Sequence, residues 1–410
     1  MNRSLDFGDL VRSVVRFVSR SLRKSPKAGR RVANGTLLLT HAEVCDRHGT
    51  GALLGKIFAS DPALIVWYSH NFFGENTTGL IAEHVRHPNS DLTTAKLRVA
   101  PLLKDLEIKR ILCVPFYPDD ILSAVAAAEL TGAPLATYIM DDQNLFAAGI
   151  PDDLIRMLLA RSAIRFAISE ALRSGYQEKF GFPISIIPPT NSQSVFASID
   201  LAAPNHHPPR GVMIGNVWSA EVVADLRNLI KNSGFVVDWF GNAGKPFVQL
   251  DPDELKAEGI ILRGNVPEPE LVRELRTFDY AIMPSAALNG NLEHDWLFRA
   301  SLPSRLIYLM TTACLPVAVL GDSETAAGQF VERFDLGGTA SYQAAAFKVL
   351  VHALTNPERA TQIRRKAAAL APTFASESVA DFIWRSMEVG RAVDDRYEQV
   401  FPRSLLHKIN

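Results

Sequence analysis

Apolar residues fall into short dense runs along this chain, separated by stretches with helical spacing. TLLLT (36–40), LIVWYS (64–69), RILCVPF (110–116), LATYIMDD (135–142), FAIS (166–169) and ISIIPP (184–189) read as strands of a first half. Runs that are apolar on both faces fit strands covered on both sides, as in a parallel sheet. Helical stretches alternate with them, most clearly ILSAVAAAELTG (121–132), which ends in a glycine suited to a left-handed cap. The rhythm breaks where prolines cluster between 188 and 210, a composition typical of a linker. It then restarts with GVMIGN (211–216), FVVDWFGN (235–242), GIILRGNV (259–266) and DYAIMPS (279–285). Helices are expected at 219–232, 268–277, 324–334, 341–354, 356–370 and 377–392.

The stretch SLPSRLIYLMTTACLPVAVLG (301–321) joins a helix to a buried strand. Pro303 suits the first turn, and Leu306, Leu309, Met310 and Ala313 follow at helical spacing before Pro316 stops the helix. The opening turn carries Ser304 and Arg305. Free backbone N–H groups, a positive dipole end, a hydroxyl and a guanidinium suit an anionic ligand such as a phosphate. An ordinary αβ unit with a solvated arginine is the plain alternative.

The pattern predicts an α/β protein of two Rossmann-like, doubly wound parallel-sheet domains facing a cleft. The expected division is a basic segment at 1–34, a first domain at 35–190, a linker at 191–209 and a second domain at 210–375. A helix and tail at 376–410 would cross back to the first domain. A length of 410 residues suits two domains of ordinary size. The net charge of −1 argues against nucleic acid as a partner. Cys45, Cys113 and Cys314 form no CxxC pair, so a reducing compartment is expected and no metal cage. No apolar run is long enough to span a bilayer, and no secretory signal is expected. In residues 1–31, Leu10, Val14, Val18 and Leu22 mark one helical face among several arginines. That pattern predicts either contact with an anionic membrane surface or a helix docked on the domain.

Ligands of open parallel sheets sit beyond the C-terminal ends of the strands. Polar residues gather there: His41 and Glu43, Ser69 and His70, Asp141 and Asp142, Gly215 and Asn216, Arg263, and Ser285. Asp141 or Asp142 could accept the proton of a substrate hydroxyl, or one of them could cap the next helix. His70 lies in SHNFFGENTTG (69–79), a loop long enough to cover a site. Gly49 and Gly51, in HGTG, resemble a phosphate-cradling loop or a turn that needs positive φ.

In order and spacing, the second half resembles the nucleotide-sugar domain of GT-B glycosyltransferases of the family 4 and family 1 type. The carrying motifs are GVMIGN, FGNAG, LRGNVPEPELVREL, AIMPS and SLPSRLIYLMTTACLP. The first half resembles the acceptor-side domain through HGTGALLG, YIMDD and FAIS followed by Tyr176 and FG. The resemblance implies sugar transfer from a nucleotide-diphosphate donor to a glycan or lipid-linked acceptor, with retention and without an obligatory metal. No further cofactor is implied. A cytoplasmic enzyme of surface-polysaccharide or lipopolysaccharide synthesis, peripheral at the membrane, fits the basic N-terminal segment. The implied donor set is Arg263, Ser304 and Arg305, with Gly215 and Asn216 allowing close backbone approach.

The chain departs from the pattern in three places. A ribose-holding glutamate is replaced by Tyr308 or Leu309, depending on alignment. Cys314-Leu315 stands where glycine precedes the final proline, and GNVWSAEV carries no base. These departures keep open a non-catalytic partner or scaffold and, more remotely, a nucleotide-sugar epimerase.

Overall fold

The computed structural model describes residues 31–74, 77–197, 204–217, 219–241, 248–285 and 299–401. Residues 1–30 of the basic segment expected at 1–34, the FGNAG loop beyond Gly241 and the tail beyond Phe401 lie outside the described residues.

The first lobe is a seven-stranded parallel sheet in the order β3-β2-β1-β4-β5-β6-β7. Its strands are β1 (Val32–Thr40), β2 (Leu64–Tyr68), β3 (Ile81–His84), β4 (Leu106–Cys113), β5 (Leu135–Ile139), β6 (Ile164–Ala167) and β7 (Ser185–Ile186). Helices α1 (Gly49–Ile57), α2 (Leu92–Val99), α3 (Pro118–Thr131), α4 (Asp152–Arg161) and α5 (Glu170–Phe180) connect them. β1 begins at Val32, ahead of the boundary read from the apolar run.

The second lobe is a six-stranded parallel sheet in the order β10-β9-β8-β11-β12-β13. It comprises β8 (Arg210–Ile214), β9 (Val236–Phe240), β10 (Ile260–Gly264), β11 (Tyr280–Pro284), β12 (Val317–Leu320) and β13 (Gly337–Ala340). Its helices are α6 (Ala220–Ser233), α7 (Pro252–Ala257), α8 (Glu268–Leu275), α9 (Ser304–Ala313), α10 (Ala326–Arg333), α11 (Ala344–Thr355) and α12 (Pro357–Leu370). The chain then returns: in α13 (Val379–Val389), Phe382 packs on Phe166 and Trp384 on Phe58 of the first lobe. α14 (Arg396–Val400) follows, and Tyr397 packs against Phe382.

Both sheets reverse their winding direction once, beside β1 and beside β8. A doubly wound sheet opens a crevice at such a point, at the C-terminal strand ends. The two crevices face each other because α9 is shared. It buries Leu306, Ile307, Leu309 and Met310, and its opening turn reaches α1 of the other lobe. At its far end Cys314 adopts a left-handed φ of 52°, the conformation for which a glycine is usual at this point.

The lobes meet around Lys56, in the last turn of α1. Its ammonium lies 2.6 Å from Glu268 of α8, 2.7 Å from the amide oxygen of Asn191, and 4.7 Å from the Tyr308 ring centroid. Asn191 also donates to Thr311 of α9 at 2.9 Å and bridges to Ala375, so both passages of chain between the lobes touch at one residue.

Asp238, fully buried on β9, accepts from Arg210 at 2.8 and 2.9 Å and from Arg263 at 2.5 Å. Both guanidinium groups are partly solvated, which limits the cost of breaking the cluster. Asp238→Asn should lower stability by about 2 kcal/mol, read as an earlier urea midpoint with an unchanged slope.

Candidate active site between the lobes

Residues HGTG form the opening turn of α1, and neither glycine has positive φ, so the expected cradling loop is corrected to a helix start. His48 caps it, its Nδ1 accepting from the Gly51 N–H at 3.4 Å. Glycine is required at 51 because a Cβ there would lie 2.6 Å from the Glu43 carbonyl oxygen and 2.9 Å from the Cys45 nitrogen. Gly49 faces the other lobe: a Cβ at that position would lie 3.4 Å from the Ser304 hydroxyl. The two helix openings, α1 and α9, therefore come together at the lobe junction, each with its positive dipole end at that place.

Arg305 sits behind this junction, half-buried. Among the described residues it donates to the Asn216 carbonyl at 3.4 Å, and no carboxylate pairs with it. Burial lowers its pKa, opposed by Tyr342, yet a guanidinium stays charged at any working pH. Gly215 turns the chain after β8 at φ 86°, a conformation that favours glycine, and lies beside this side chain, a Cβ there being 3.5 Å from Nη1, ordinary contact. Gly241, at φ 137°, closes the next turn so tightly that a Cβ would lie 2.4 Å from the Gly215 oxygen. Ser304, Arg305, Gly215 and Asn216 are thus brought together.

Arg263 is not among them. Its Nε donates to Asp238 at 2.5 Å, while the rest of the guanidinium stays partly solvated. Of the two alternatives to the ribose glutamate, Tyr308 lies at the lobe junction under Lys56, whereas Leu309 is fully buried.

Asp141 and Asp142 separate sharply. Asp142 is fully buried and accepts backbone N–H groups of Asn144, Leu145, Phe146 and Ala147 at 2.7 to 3.4 Å. It organises its loop, so the substrate contact expected of it is withdrawn. Asp141 stands beside Ser301, just ahead of α9 across the gap. Burial pushes its pKa up to about 6, Ser301 opposes the rise, and the Asp142 charge adds to it. A carboxylate tuned toward neutrality is suited to proton transfer.

His70 joins an aromatic cluster on the first lobe. Its Nδ1 lies 3.1 Å from the Ser69 hydroxyl, and its ring centroid is 4.0 Å from Tyr117 and 5.6 Å from Phe72. Burial lowers its pKa, with Arg86 assisting and Asp119 opposing. His41 and His48 were overlooked as a pair: their Nε2 atoms lie 3.2 Å apart. The spacing of seven across the β1–α1 turn was the available signal. Such a contact needs at least one neutral ring. Burial holds His41 well below its usual pKa and His48 at about 4, with Glu43 opposing at His48. Lys56 was also missed, because only the assembled lobes give it partners. Among the described residues no three potential ligands gather to hold a metal, and no helix is long and apolar enough to cross a membrane.

No protein-family model matches the chain, and no curated protein sequence does. Solved structures do match. Anabaena Alr3699/HepE, crystallised with UDP and glucose, superposes with a TM-score of 0.60 at 12% identity, covering 87% of this chain and 100% of that one. WaaG, a glycosyltransferase of lipopolysaccharide biosynthesis, gives 0.55 at 11% identity over 86% of this chain and 99% of its own. AviGT4, a glycosyltransferase of avilamycin A biosynthesis, gives 0.52 at 10% identity, over 86% and 97%. The fold is GT-B. Within this GT-B fold, Gly49 of the first lobe and Ser304 of the second meet where the lobes face each other, with Arg305 and Gly215 beside Ser304.

Two substitutions separate the adjacent aspartates. Asp142→Ala strands four backbone donors and should cost about 3 kcal/mol in urea unfolding. Asp141→Asn should instead stabilise the fold by about 1 kcal/mol at pH 7.5. The native carboxyl retains its proton to a higher pH than the unfolded one. Its unfavourable contribution therefore grows as pH rises from about 4 through about 6, and the gain in Asp141→Asn fades as pH is lowered through that window.

Proposed function

We propose that this chain transfers a hexosyl group from a nucleotide-diphosphate sugar to a glycan or lipid-linked acceptor, in assembly of a surface polysaccharide or lipopolysaccharide. One observation carries the reading. The α9 opening turn, with Arg305 behind it and no carboxylate paired with that guanidinium among the described residues, meets the α1 opening beside the switch points of both sheets.

Cleavage of the sugar–phosphate bond places negative charge on the leaving diphosphate. Arg305, the Ser304 hydroxyl and the backbone N–H groups of α9 supply fixed positive potential where that charge grows. Gly215 and Gly241 let the β8 and β9 turns come close to the same point. Asp141 accepts or orients the proton of the acceptor hydroxyl. The reading takes transfer to proceed with retention and without a metal, as the resemblance implies. It places the protein in the cytoplasm, peripheral at the membrane through residues 1–31. HepE holds UDP or UDP-glucose in its solved structures, which makes uridine nucleotides the first donors to try.

Calorimetric titration with UDP, UDP-glucose and GDP is the decisive measurement. We expect binding of at least one, weakened about tenfold or more in Arg305→Ala, the effect of losing a charge-assisted contact. Absence of binding by every common nucleotide and nucleotide sugar would overturn the proposal. With a turning-over pair in hand, kcat/KM should rise with pH through about 6, and Asp141→Asn should lose that limb together with most of the rate.

A further inference from the structure

Phe72 is 47% exposed, yet its loop is held firmly. The buried carboxylate of Glu43 accepts the N–H of Phe72 at 3.1 Å and those of Phe73 and Gly74 at 3.0 Å. An apolar ring presented to solvent on a fixed backbone is a feature that binding sites share. Behind it the rings continue inward. His70 is stacked on Phe72 with 14° between planes and contacts Tyr117; Tyr117 contacts Phe116, and Phe116 stacks on His41 at 4.2 Å. His41 touches His48, which precedes Gly49 at the edge of the gap facing Ser304. The array therefore runs along the C-terminal edge of β2, β1 and β4 to the candidate active site.

Three buried carboxylates lie behind this wall rather than on its exposed face. Glu43 is taken by the three N–H groups, and Asp120 beneath Tyr117 accepts the N–H groups of Phe116 and Tyr117 at 3.0 and 2.8 Å. Asp119 accepts the His87 N–H. Arg86, exposed just after β3, lies near enough to act on both His70 and Tyr117, and no carboxylate pairs with it among the described residues.

We propose that Phe72, backed by His70 and Tyr117 and rimmed by Arg86, is the acceptor subsite, receiving the apolar face of a pyranose that carries an anionic substituent. This rests on the transferase reading for the word acceptor, but the sugar site itself can be tested without it. A pyranose presents a face of C–H groups that packs on an aromatic ring, while its hydroxyls remain in water. The guanidinium then selects for a phosphate or carboxylate on the same sugar.

The test is saturation-transfer NMR on the full chain, titrated with glucose 6-phosphate and with glucose. It is run both with saturating UDP and on Arg305→Ala without nucleotide, so that the phosphate-facing turn does not compete. We expect both sugars to bind, the phosphorylated one about threefold more tightly. Phe72→Ala should weaken both about fivefold, and Arg86→Gln should abolish the preference while leaving glucose unchanged. No transfer to either sugar, equal affinities in the native chain, or full binding by Phe72→Ala would each overturn the proposal. Failure of UDP to bind would count against the transferase reading alone, since the Arg305→Ala series does not depend on it.

Discussion

The ammonium of Lys56 fixes how the two lobes face each other. It lies at the C-terminal end of α1, where a cation is favoured by the helix dipole, and it meets Glu268 in the first turn of α8, where an anion is favoured. The Tyr308 ring and the Asn191 amide complete its surroundings, so one cation binds the first lobe, the linker and two helices of the second. The same α1 begins at Gly49, facing Ser304. Whatever holds the end of α1 therefore also sets the distance across the gap at its beginning.

Around that junction the site divides its labour by solvation. Among the described residues Arg305 has no carboxylate partner, whereas Arg210 and Arg263 share Asp238. Asp142 gives all its capacity to backbone donors, whereas Asp141 keeps an elevated pKa beside Ser301. In each case the less fully paired group lies close to the α9 opening turn. Preorganised charge of this kind is what an anionic, bond-breaking transition state requires.

Much of this was legible in the chain. Dense apolar runs located most of the strands, because a parallel sheet buried on both faces needs them. β3 and β13 escaped. Ile81–His84 is a short, partly exposed edge strand whose last two residues are polar. Gly337–Ala340 has almost no side chains, since a Cβ at Gly337 would lie 1.9 Å from the Val317 oxygen. The α9 opening turn was legible because its signal is local: proline, serine and arginine in sequence. The fate of Arg263 was not, because the carboxylate that captures it comes from a neighbouring strand. Nor could two adjacent aspartates be told apart before the loop that folds around one of them was seen.

Asn191 touches the returning chain at Ala375, and its backbone pairs with Phe374 and Ser376. The outgoing and incoming connections are thus stitched together at one spot. The seam does not end there: Ser169 donates to the Ala300 carbonyl, Glu170 meets Arg333 at 3.9 Å, and apolar residues of both lobes share one buried cluster. Several separated attachments resist relative movement far better than one, because any shift that relieves one of them strains another. The spacing between Gly49 and Ser304 is therefore written into the packing of the two lobes.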